Sequence, residues 1–474
     1  MSPRITRRRF LKASAATVGA GYFHSATALS ASRAAAGPNG KLYFAGIGVG
    51  GKGDGDISQA GRLGEVVAIC DIDEDYLAKK AKQFPSAKKY FDYRKMLEEM
   101  GKDIDAVTVS TPDHTHAPAS IMAMKMKKHV YCQKPLTHTV FEARQMRDIA
   151  KQMGVATQMG NQGSAASGLR RAVELIQDGI IGPVRAAHVW TNRPIWPQAP
   201  AVMSRPPEAP IPAHVHWDQF IGPAPFRPYA VYDQAVSRRG GAYHPFSWRG
   251  WWDFGTGALG DMACHTANMA FRALNLGHPT TVTADATDVN PETYPSSAKV
   301  TYGFPARGNM PAVTLTWYEG RRDGKKLLPP DDLVQKAISI DTNPKHKGNL
   351  VESGSILVGD KGMLYSPDDY GAEFFLYPAK AFEGVNKTKP ERLPINARGD
   401  YGMKAEWVDA IKGGSPASSD FGFAAMLTET ILLGNIAIRL TGERLEWNGP
   451  DLKFTNNSNA NQFVHYEYRK GWTL

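Results

Sequence analysis

A glycine-rich turn placed directly after a short apolar run limits the folds open to this chain. The run covers Leu42–Ile47, and the turn covers Gly48–Gly53 with the sequence Gly-Val-Gly-Gly-Lys-Gly. A doubly covered parallel strand reads as a continuous apolar run. Glycines let the backbone that follows turn tightly and approach a pyrophosphate at the start of a helix. The pattern predicts a strand, a turn and a helix that together bind a dinucleotide.

Two registers of the glycine motif fit this turn. The register of Gly48, Gly50 and Gly53 begins after the strand has ended, whereas the other begins at Gly46 inside the strand, so we prefer the first. Asp71 ends the second predicted strand about 20 residues further on, where an acid accepts hydrogen bonds from the ribose hydroxyls of NAD. The glycines and Asp71 together predict binding of NAD in preference to NADP.

The order of strand-like and helical segments predicts an α/β protein of two parts. From Leu42 to Pro135 strands alternate with helices, which predicts a doubly wound parallel (Rossmann) sheet. Later strand-like runs follow one another directly, which predicts an α+β domain with a large, open, mostly antiparallel sheet. The segment Arg321–Asn349 is charged and contains prolines, and we interpret it as a loop insertion. We divide the chain into a signal (1–36), a Rossmann domain (37–163), a substrate and oligomerisation domain (164–445) and a C-terminal tail (446–474).

Residues 1–36 have the pattern of a twin-arginine export signal. Thr6–Lys12 carries the arginines, and a weakly apolar stretch rich in alanine and serine follows. That stretch is too short and too polar for a membrane span, although an uncleaved anchor stays open as an alternative, and we predict no span elsewhere. The twin-arginine route carries folded proteins with their cofactor. We therefore expect a periplasmic protein that holds its own NAD and restores it within each cycle.

Charge and cysteine content exclude two classes of protein. The net charge is +10, but residues 1–36 hold six of the 56 basic side chains and none of the 46 acidic ones. The remaining excess of about four charges gives no electrostatic case for nucleic acid. Cys70, Cys132 and Cys264 are odd in number and far apart, so we predict buried free thiols and no disulfide framework.

Three residues are candidates for proton transfer. Lys134 follows a predicted strand, which places it at the edge of the sheet where ligands bind, although most lysines are simply solvated. Asp261 and His265 are four residues apart, so a helix presents both on one face. A carboxylate and an imidazole together can orient a sugar hydroxyl and move its proton. The alternative is that Asp261 caps the helix and His265 is a core histidine.

Aromatic residues precede the helix that carries Asp261. Tyr243 and Trp251 are among them, and aromatic rings stack on the apolar faces of sugars, although the same residues could pack a long loop. A zinc site of His114, His116, Asp261 and His265 lacks a compact ligand motif, so we predict no metal.

The chain resembles the Gfo/Idh/MocA family (glucose–fructose oxidoreductase and inositol dehydrogenase) in four segments that stand in the family's order. They are Gly48–Gly53, Thr111-Pro112 with His116, Gln133-Lys134-Pro135 and Asp261–His265. The resemblance covers roughly residues 41–440 and implies a Rossmann domain, a C-terminal open sheet and hydride exchange with NAD(P). The family's lysine corresponds to Lys134, and its Asp-x-x-x-His pair to Asp261 and His265. Gln133 replaces the usual glutamate, and Ala263 stands where glycine is common.

These observations and the resemblance give one set of predicted site residues. Lys134, Asp261 and His265 are predicted to be catalytic. The predicted cofactor-binding residues are Gly48, Gly50, Gly53, Asp71, Thr111, Pro112, His116, Gln133 and Lys134. The predicted substrate-binding residues are Asn161, Tyr243, Trp251 and Asn268.

The expected function is oxidation or reduction of a secondary hydroxyl of a carbohydrate or polyol by an exported, NAD-dependent oxidoreductase. An alternative is a glycoside-cleaving enzyme that oxidises a ring carbon, eliminates the aglycone, adds water and re-reduces, leaving NAD unchanged. A second alternative, suggested by Gln133, is a sugar-binding protein without catalysis. The predicted partners are a small carbohydrate, the twin-arginine machinery and further copies of the chain.

Overall fold

The structure is a computed structural model that describes residues 40–237, 240–396 and 398–474. The predicted export signal, residues 1–36, lies outside the described residues. Export and the cleavage of the signal therefore stay predictions.

The first part of the chain forms a six-stranded sheet in which all strands run parallel. Its strands are β1 (Tyr43–Ile47), β2 (Glu65–Cys70), β3 (Lys88–Tyr90), β4 (Ala106–Val109), β5 (His129–Cys132) and β6 (Thr157–Met159). Its helices are α1 (Lys52–Ala60), α2 (Glu74–Gln83), α3 (Tyr93–Met100), α4 (Asp113–Lys125) and α5 (Val140–Met153). The strand order is β3-β2-β1-β4-β5-β6, so the winding reverses between β1 and β4, where such sheets bind ligands.

The second part contains a ten-stranded sheet in which only β7 and β10 pair in parallel. The strands are β7 (Val184–Trp190), β8 (Thr281–Thr287), β9 (Ser297–Phe304), β10 (Val313–Arg322), β11 (Lys325–Lys326), β12 (Gly354–Gly359), β13 (Gly362–Ser366), β14 (Phe375–Tyr377), β15 (Arg444–Asn448) and β16 (Lys453–Phe454). The helices before the sheet's second strand are α6 (Ser167–Gln177), α7 (Trp217–Ile221), α8 (Gly257–Thr266) and α9 (Asn268–Ala273). The later helices are α10 (Asp331–Ile340), α11 (Gly399–Ile411), α12 (Phe421–Arg439) and α13 (Ser458–Asn461). The predicted fold class is confirmed.

The interpretation of Arg321–Asn349 as a loop is wrong. The segment completes β10, forms β11 and then forms α10, whose Val334, Ala337 and Ile340 are buried. Three apolar residues at intervals of three make one apolar stripe on a helix, and Ala337 and Ile340 of this stripe pack in one cluster with Trp190 of the sheet. The charged residues between them conceal this short pattern.

Two helices of the second part pack back against the Rossmann sheet. Trp407 of α11 lies 5.7 Å from the ring of Tyr131 in β5, and Arg144 of α5 forms a buried ion pair with Glu429 of α12. Among the described residues, α12 is the one helix that is long and apolar enough to cross a bilayer. It is 83% buried inside the protein, which is the environment of a core helix.

Gly359 and Gly362 pair at the end of the hairpin formed by β12 and β13. The prediction of buried free thiols is confirmed. Cys70, Cys132 and Cys264 are free and buried, and burial raises the pKa of the Cys264 thiol to about 12.

Candidate active site

One cavity of about 400 Å³ runs along the carboxyl edge of the Rossmann sheet. It begins at the glycine turn after β1 and Asp71 after β2, and it reaches Lys134 after β5 and Asp261 of α8. The topology explains this meeting, because parallel strands all end at the same edge of their sheet.

The glycine turn is shaped by close backbone approaches. Gly48 has φ +77°, and a Cβ there would lie 2.7 Å from the carbonyl oxygen of Ser110 after β4. A Cβ on Gly53, in the first turn of α1, would lie 2.0 Å from the carbonyl oxygen of Gly48. Any larger residue would separate α1 from β1, and the helix N-terminus would lose its place beside the cavity.

Asp71 anchors the turn from the second strand. One carboxylate oxygen accepts hydrogen bonds from the backbone N–H groups of Val49 (2.7 Å) and Gly50 (3.0 Å), and the other from that of Asp73 (3.0 Å). Burial raises the pKa of Asp71. Asp71, which is predicted to bind the ribose, therefore lies in the cavity and also fixes the shape of the turn.

A buried ionic network lies under the turn. The carboxylate of Asp56 accepts hydrogen bonds from Lys404 (2.6 Å) and Lys52 (2.7 Å), and both lysines also bind Asp400. The side-chain amide of Gln133 donates to the other oxygen of Asp56 at 2.8 Å. A glutamate at position 133 would face that carboxylate with a like charge, so the departure from the family pattern fits this surrounding.

Aromatic side chains form the far wall of the cavity. Phe91, Tyr93 and Trp472 line it there, and the guanidinium of Arg94 lies 4.0 Å from the ring centre of Trp472. Flat apolar walls suit the adenine of a dinucleotide, because aromatic rings stack on bases. Trp472 comes from the last residues of the chain, and no sequence motif pointed to it.

Lys134 and Asp261 form the polar pair at the other end of the cavity. The ammonium of Lys134 donates to Oδ1 and to the backbone carbonyl of Asp261, each at 2.7 Å. Burial opposes ionisation, but the charges of Lys134 and Arg249 lower the pKa of Asp261 to about 2. The structure thus joins two predicted catalytic residues, and Asp261 is a carboxylate at neutral pH.

Two arginines that sequence reasoning missed also face Asp261. Nε of Arg249 lies 3.5 Å from its Oδ1, and Nε of Arg193 lies 3.6 Å from its Oδ2. The guanidinium of Arg249 stacks 4.2 Å from the ring of Trp248 and 4.8 Å from that of Phe246. Both arginines come from the long segment between β7 and α8, which has no periodic pattern.

His265 lies one helical turn after Asp261 and is 5% exposed. Its ring meets that of Tyr370 edge to face at 5.1 Å. Burial and the charge of Lys134 lower the pKa of His265 well below its usual value. His265 is therefore a neutral imidazole, and its Nδ1 has no hydrogen-bond partner among the described residues.

Asp113 is a further acid in the cavity wall. Its carboxylate accepts a hydrogen bond from Thr256 at 2.7 Å. Burial raises the pKa of Asp113 to about 7 despite that bond. It can therefore hold or release a proton near neutral pH.

The structure does not bring the four predicted substrate-binding residues to this cavity. Tyr243 and Trp251 are buried in an aromatic cluster, and the Trp251 indole donates to the carbonyl of Ala242. The side-chain amides of Asn161 and Asn268 are buried and donate to Cys264 and Ser164. The two aromatic rings pack in the protein interior, and the two amides form hydrogen bonds there.

The predicted cofactor residues Thr111, Pro112 and His116 line the cavity. Both ring nitrogens of His116 lie 2.8 Å from backbone carbonyls, and those of His114 lie 3.2 and 2.8 Å from others. Such contacts leave neither ring free for zinc. Among the described residues, Asp73, Asp75 and His214 form one group whose potential metal-ligand atoms lie close together. These three residues do not line the cavity.

A doubly wound sheet with a glycine turn, an acid after the second strand and a lysine–aspartate pair at the same edge defines an NAD-binding oxidoreductase. The chain belongs to the Gfo/Idh/MocA oxidoreductase family. The family's NAD-binding Rossmann model matches residues 41–161, and its C-terminal alpha/beta model matches residues 169–309.

The chain is similar to the 2,7-anhydro-N-acetylneuraminate hydratase of Escherichia coli (strain K12), with 33% identity over 96 residues, which are 19% of this chain and 26% of the relative. The WlbA dehydrogenase from Bordetella pertussis, solved with NADH and UDP-GlcNAcA, matches with TM-score 0.57 and 15% identity over 86% of this chain and 99% of that chain. The aldose-aldose oxidoreductase from Caulobacter crescentus matches with TM-score 0.54 and 16% identity over 86% and 100%. At these identities the solved structures show the fold alone. The chain spans 24–38% of the length of the curated relatives it matches.

The residues present fit NAD. The close packing at Gly48 and Gly53 leaves the start of α1 open to a pyrophosphate, and Asp71 stands at the ribose position. The aromatic wall with Trp472 suits the adenine, and the nicotinamide end of such a ligand would lie toward Lys134.

Proposed function

We propose that this protein is an oxidoreductase that exchanges a hydride between NAD and a secondary hydroxyl carbon of a carbohydrate or polyol. The observation that carries the proposal is the single cavity that joins the glycine turn and Asp71 to the Lys134–Asp261 pair. The cofactor residues lie toward one end of this cavity and the proton-handling residues toward the other, so a dinucleotide bound along it would reach both.

The chain's own residues supply the proton chemistry, while NAD supplies the hydride acceptor. Asp261 fixes the ammonium of Lys134 through two contacts of 2.7 Å. In the direction of reduction the ammonium donates a proton to the substrate oxygen, and in the direction of oxidation the neutral amine accepts the hydroxyl proton, because a positioned side chain lowers the barrier to proton transfer. His265 stays a neutral imidazole one helical turn after the same carboxylate.

We also propose that the cofactor stays bound through the cycle and that the protein works outside the cytoplasm. The twin-arginine pattern of residues 1–36 supports export. Two contacts in the cavity wall support retention. Trp472 lines the aromatic end, with the guanidinium of Arg94 against its ring, and His244, which also lines the cavity, hydrogen-bonds Asp73 at 2.8 Å.

A second candidate function is glycoside cleavage by oxidation, elimination, hydration and reduction. The observation that favours it is Asp113, whose pKa of about 7 gives the cavity an additional proton donor near neutral pH. Elimination requires one group to remove a proton and another to protonate the leaving oxygen. The similarity to a 2,7-anhydro-N-acetylneuraminate hydratase is consistent with water addition in this family.

The test is anaerobic mixing of the NAD-loaded protein with polyols, sugars and glycosides, with absorbance of reduced nicotinamide and chromatography of products as readouts. Net reduction of the bound NAD by a sugar or polyol supports the proposed hydride exchange. Release of an aglycone without accumulation of reduced cofactor supports the second candidate. Tight sugar binding with neither reaction would overturn both and leave a binding protein.

A further inference from the structure

Charge is unbalanced at the substrate end of the cavity. Three cations, Lys134, Arg193 and Arg249, approach the single carboxylate of Asp261 at 2.7, 3.6 and 3.5 Å. The side chain of Asp261 is 12% exposed, so water screens this cluster only in part. Ions away from bulk water are usually paired, and one carboxylate cannot pair three cations.

The two arginines have no other acidic partner among the described residues. Arg249 donates to the backbone carbonyl of Phe246 at 3.2 Å, and its plane is held against the rings of Trp248 and Phe246. Arg193 hydrogen-bonds the side chain of Asn192, and its buried Nε makes no hydrogen bond. Both guanidinium groups are thus positioned by neutral groups, with donors left over.

Two further acids lie within range of these charges, but neither contacts a guanidinium group among the described residues. Asp113 interacts with the charge of Arg249 and Asp369 with that of Arg193, and burial raises the pKa of both carboxyl groups. Oδ1 of Asp369 is buried without a hydrogen-bond partner. Oxidised NAD, on the function proposed above, adds the positive charge of its nicotinamide to the same region, so the excess grows when the cofactor is bound.

From this geometry we propose that the substrate is an anionic carbohydrate. Its carboxylate or ester-linked oxyanion pairs with Arg249 and Arg193, while its reacting hydroxyl lies against Lys134. Guanidinium groups are planar forks that match carboxylates and phosphate-type oxyanions. The inference rests on the proposed function, and it defines the class of sugar that this site accepts.

Binding of matched sugars to the NAD-loaded protein tests the proposal by calorimetry. The probes are methyl glucuronide, methyl galacturonide and methyl mannuronide, the uncharged methyl ester of each, and a methyl glucoside with and without a sulfate ester. We expect at least one acid to bind about 10-fold or more tightly than its own ester, since hydrogen bonds to charged groups are the stronger ones. The uronate and sulfate arms distinguish the two kinds of anion.

Arg249→Gln and Arg193→Gln should each reduce that preference about 10-fold. Arg249→Lys should keep part of the preference, because it keeps the charge and loses the fork. Arg185→Gln is the matched control, since Arg185 lies on β7 in an exposed pair with Asp360. Its preference should equal that of the wild type, and thermal unfolding of each variant checks that it folds.

Equal affinity for acids and esters, or failure of every anionic probe to bind at millimolar concentration, would overturn the inference. Hydride transfer to or from neutral sugars without any charge preference would overturn it while leaving the proposed function intact. Selective binding of an acid without hydride transfer would keep the inference and contradict the proposed function.

Discussion

Two ionic clusters border the same cavity, and they differ in balance. Under the glycine turn, two lysines (Lys52 and Lys404) meet two carboxylates (Asp56 and Asp400). At the substrate end, Asp261 is the one carboxylate of the described residues that three cations contact within 4 Å. A balanced buried cluster satisfies itself and supports the backbone above it, whereas an unbalanced one is completed by a ligand. The comparison separates the residues that hold the turn from those that handle substrate.

The largest expected effect follows removal of the ammonium at the substrate end. Lys134→Met should lower kcat/KM by about 10²–10⁴-fold, because a positioned proton-transfer group contributes that much. The bound dinucleotide should stay, since the glycine turn and Asp71 are untouched. Steady-state kinetics and cofactor content measure the two effects. Lys151→Met on the exposed face of α5 is the control, and equal kinetics in both variants would contradict the role of Lys134.

Breaking the balanced cluster should affect stability instead of chemistry. Lys404→Met leaves Asp56 buried with one cation fewer, and removing one partner of a buried ion pair costs about 3–5 kcal/mol of unfolding free energy. Denaturant unfolding measures this loss. Lys336→Met, which removes the exposed pair with Asp332, should cost less than about 1 kcal/mol. A similar small cost for both would show that the buried cluster does not support the turn.

Asp113 sharpens the comparison through pH. Its pKa is about 7 when folded and about 3.9 when unfolded, so the folded state keeps the proton between these values. Its contribution to stability is therefore present below about pH 4 and falls as pH rises toward 7, by up to about 1.4 kcal/mol per pH unit. A wall group with this pKa should also give a step near pH 7 in the pH profile of kcat/KM. Asp113→Asn should remove both the slope in stability and this step.

Glu319 offers a matched control for this experiment. Burial raises its pKa to about 7 as well, but its carboxylate binds the Trp317 indole at 2.7 Å within the large sheet. Glu319→Gln should flatten the pH dependence of stability and leave the kinetic profile unchanged. If both variants changed the kinetic profile alike, Asp113 would have no special place in the chemistry.

The smallest expected effect is at the aromatic end. Trp472→Ala should speed exchange of bound for labelled dinucleotide by about 2–10-fold, since one aromatic stacking contact contributes about 0.5–1.5 kcal/mol. Phe226→Ala, which removes a ring that is 61% exposed, should leave the exchange rate unchanged. An unaltered rate in Trp472→Ala would place cofactor retention elsewhere.

The sequence predicts the motif-bearing half of the site well. The alternation of strands and helices and the glycine turn follow from local patterns. Lys134 follows from its place after a predicted strand, and Asp261 follows from its spacing to His265. Arg193 and Arg249 could not be predicted, because they come from a long irregular segment whose path depends on tertiary packing. The same limit explains why the predicted substrate-binding role of Trp251 does not match its position, since its ring packs in a buried cluster. Sequence shows that an aromatic residue is present but not whether its ring faces a ligand or a neighbour.

The most direct test of the account is the content of the cavity itself. The protein is purified in its native state and denatured, and mass spectrometry identifies and counts any dinucleotide that is released. The account predicts about one NAD or NADH per chain, because the glycine turn, Asp71 and the wall at Trp472 enclose a single site. A protein that carries none and also fails to bind added NAD would contradict it.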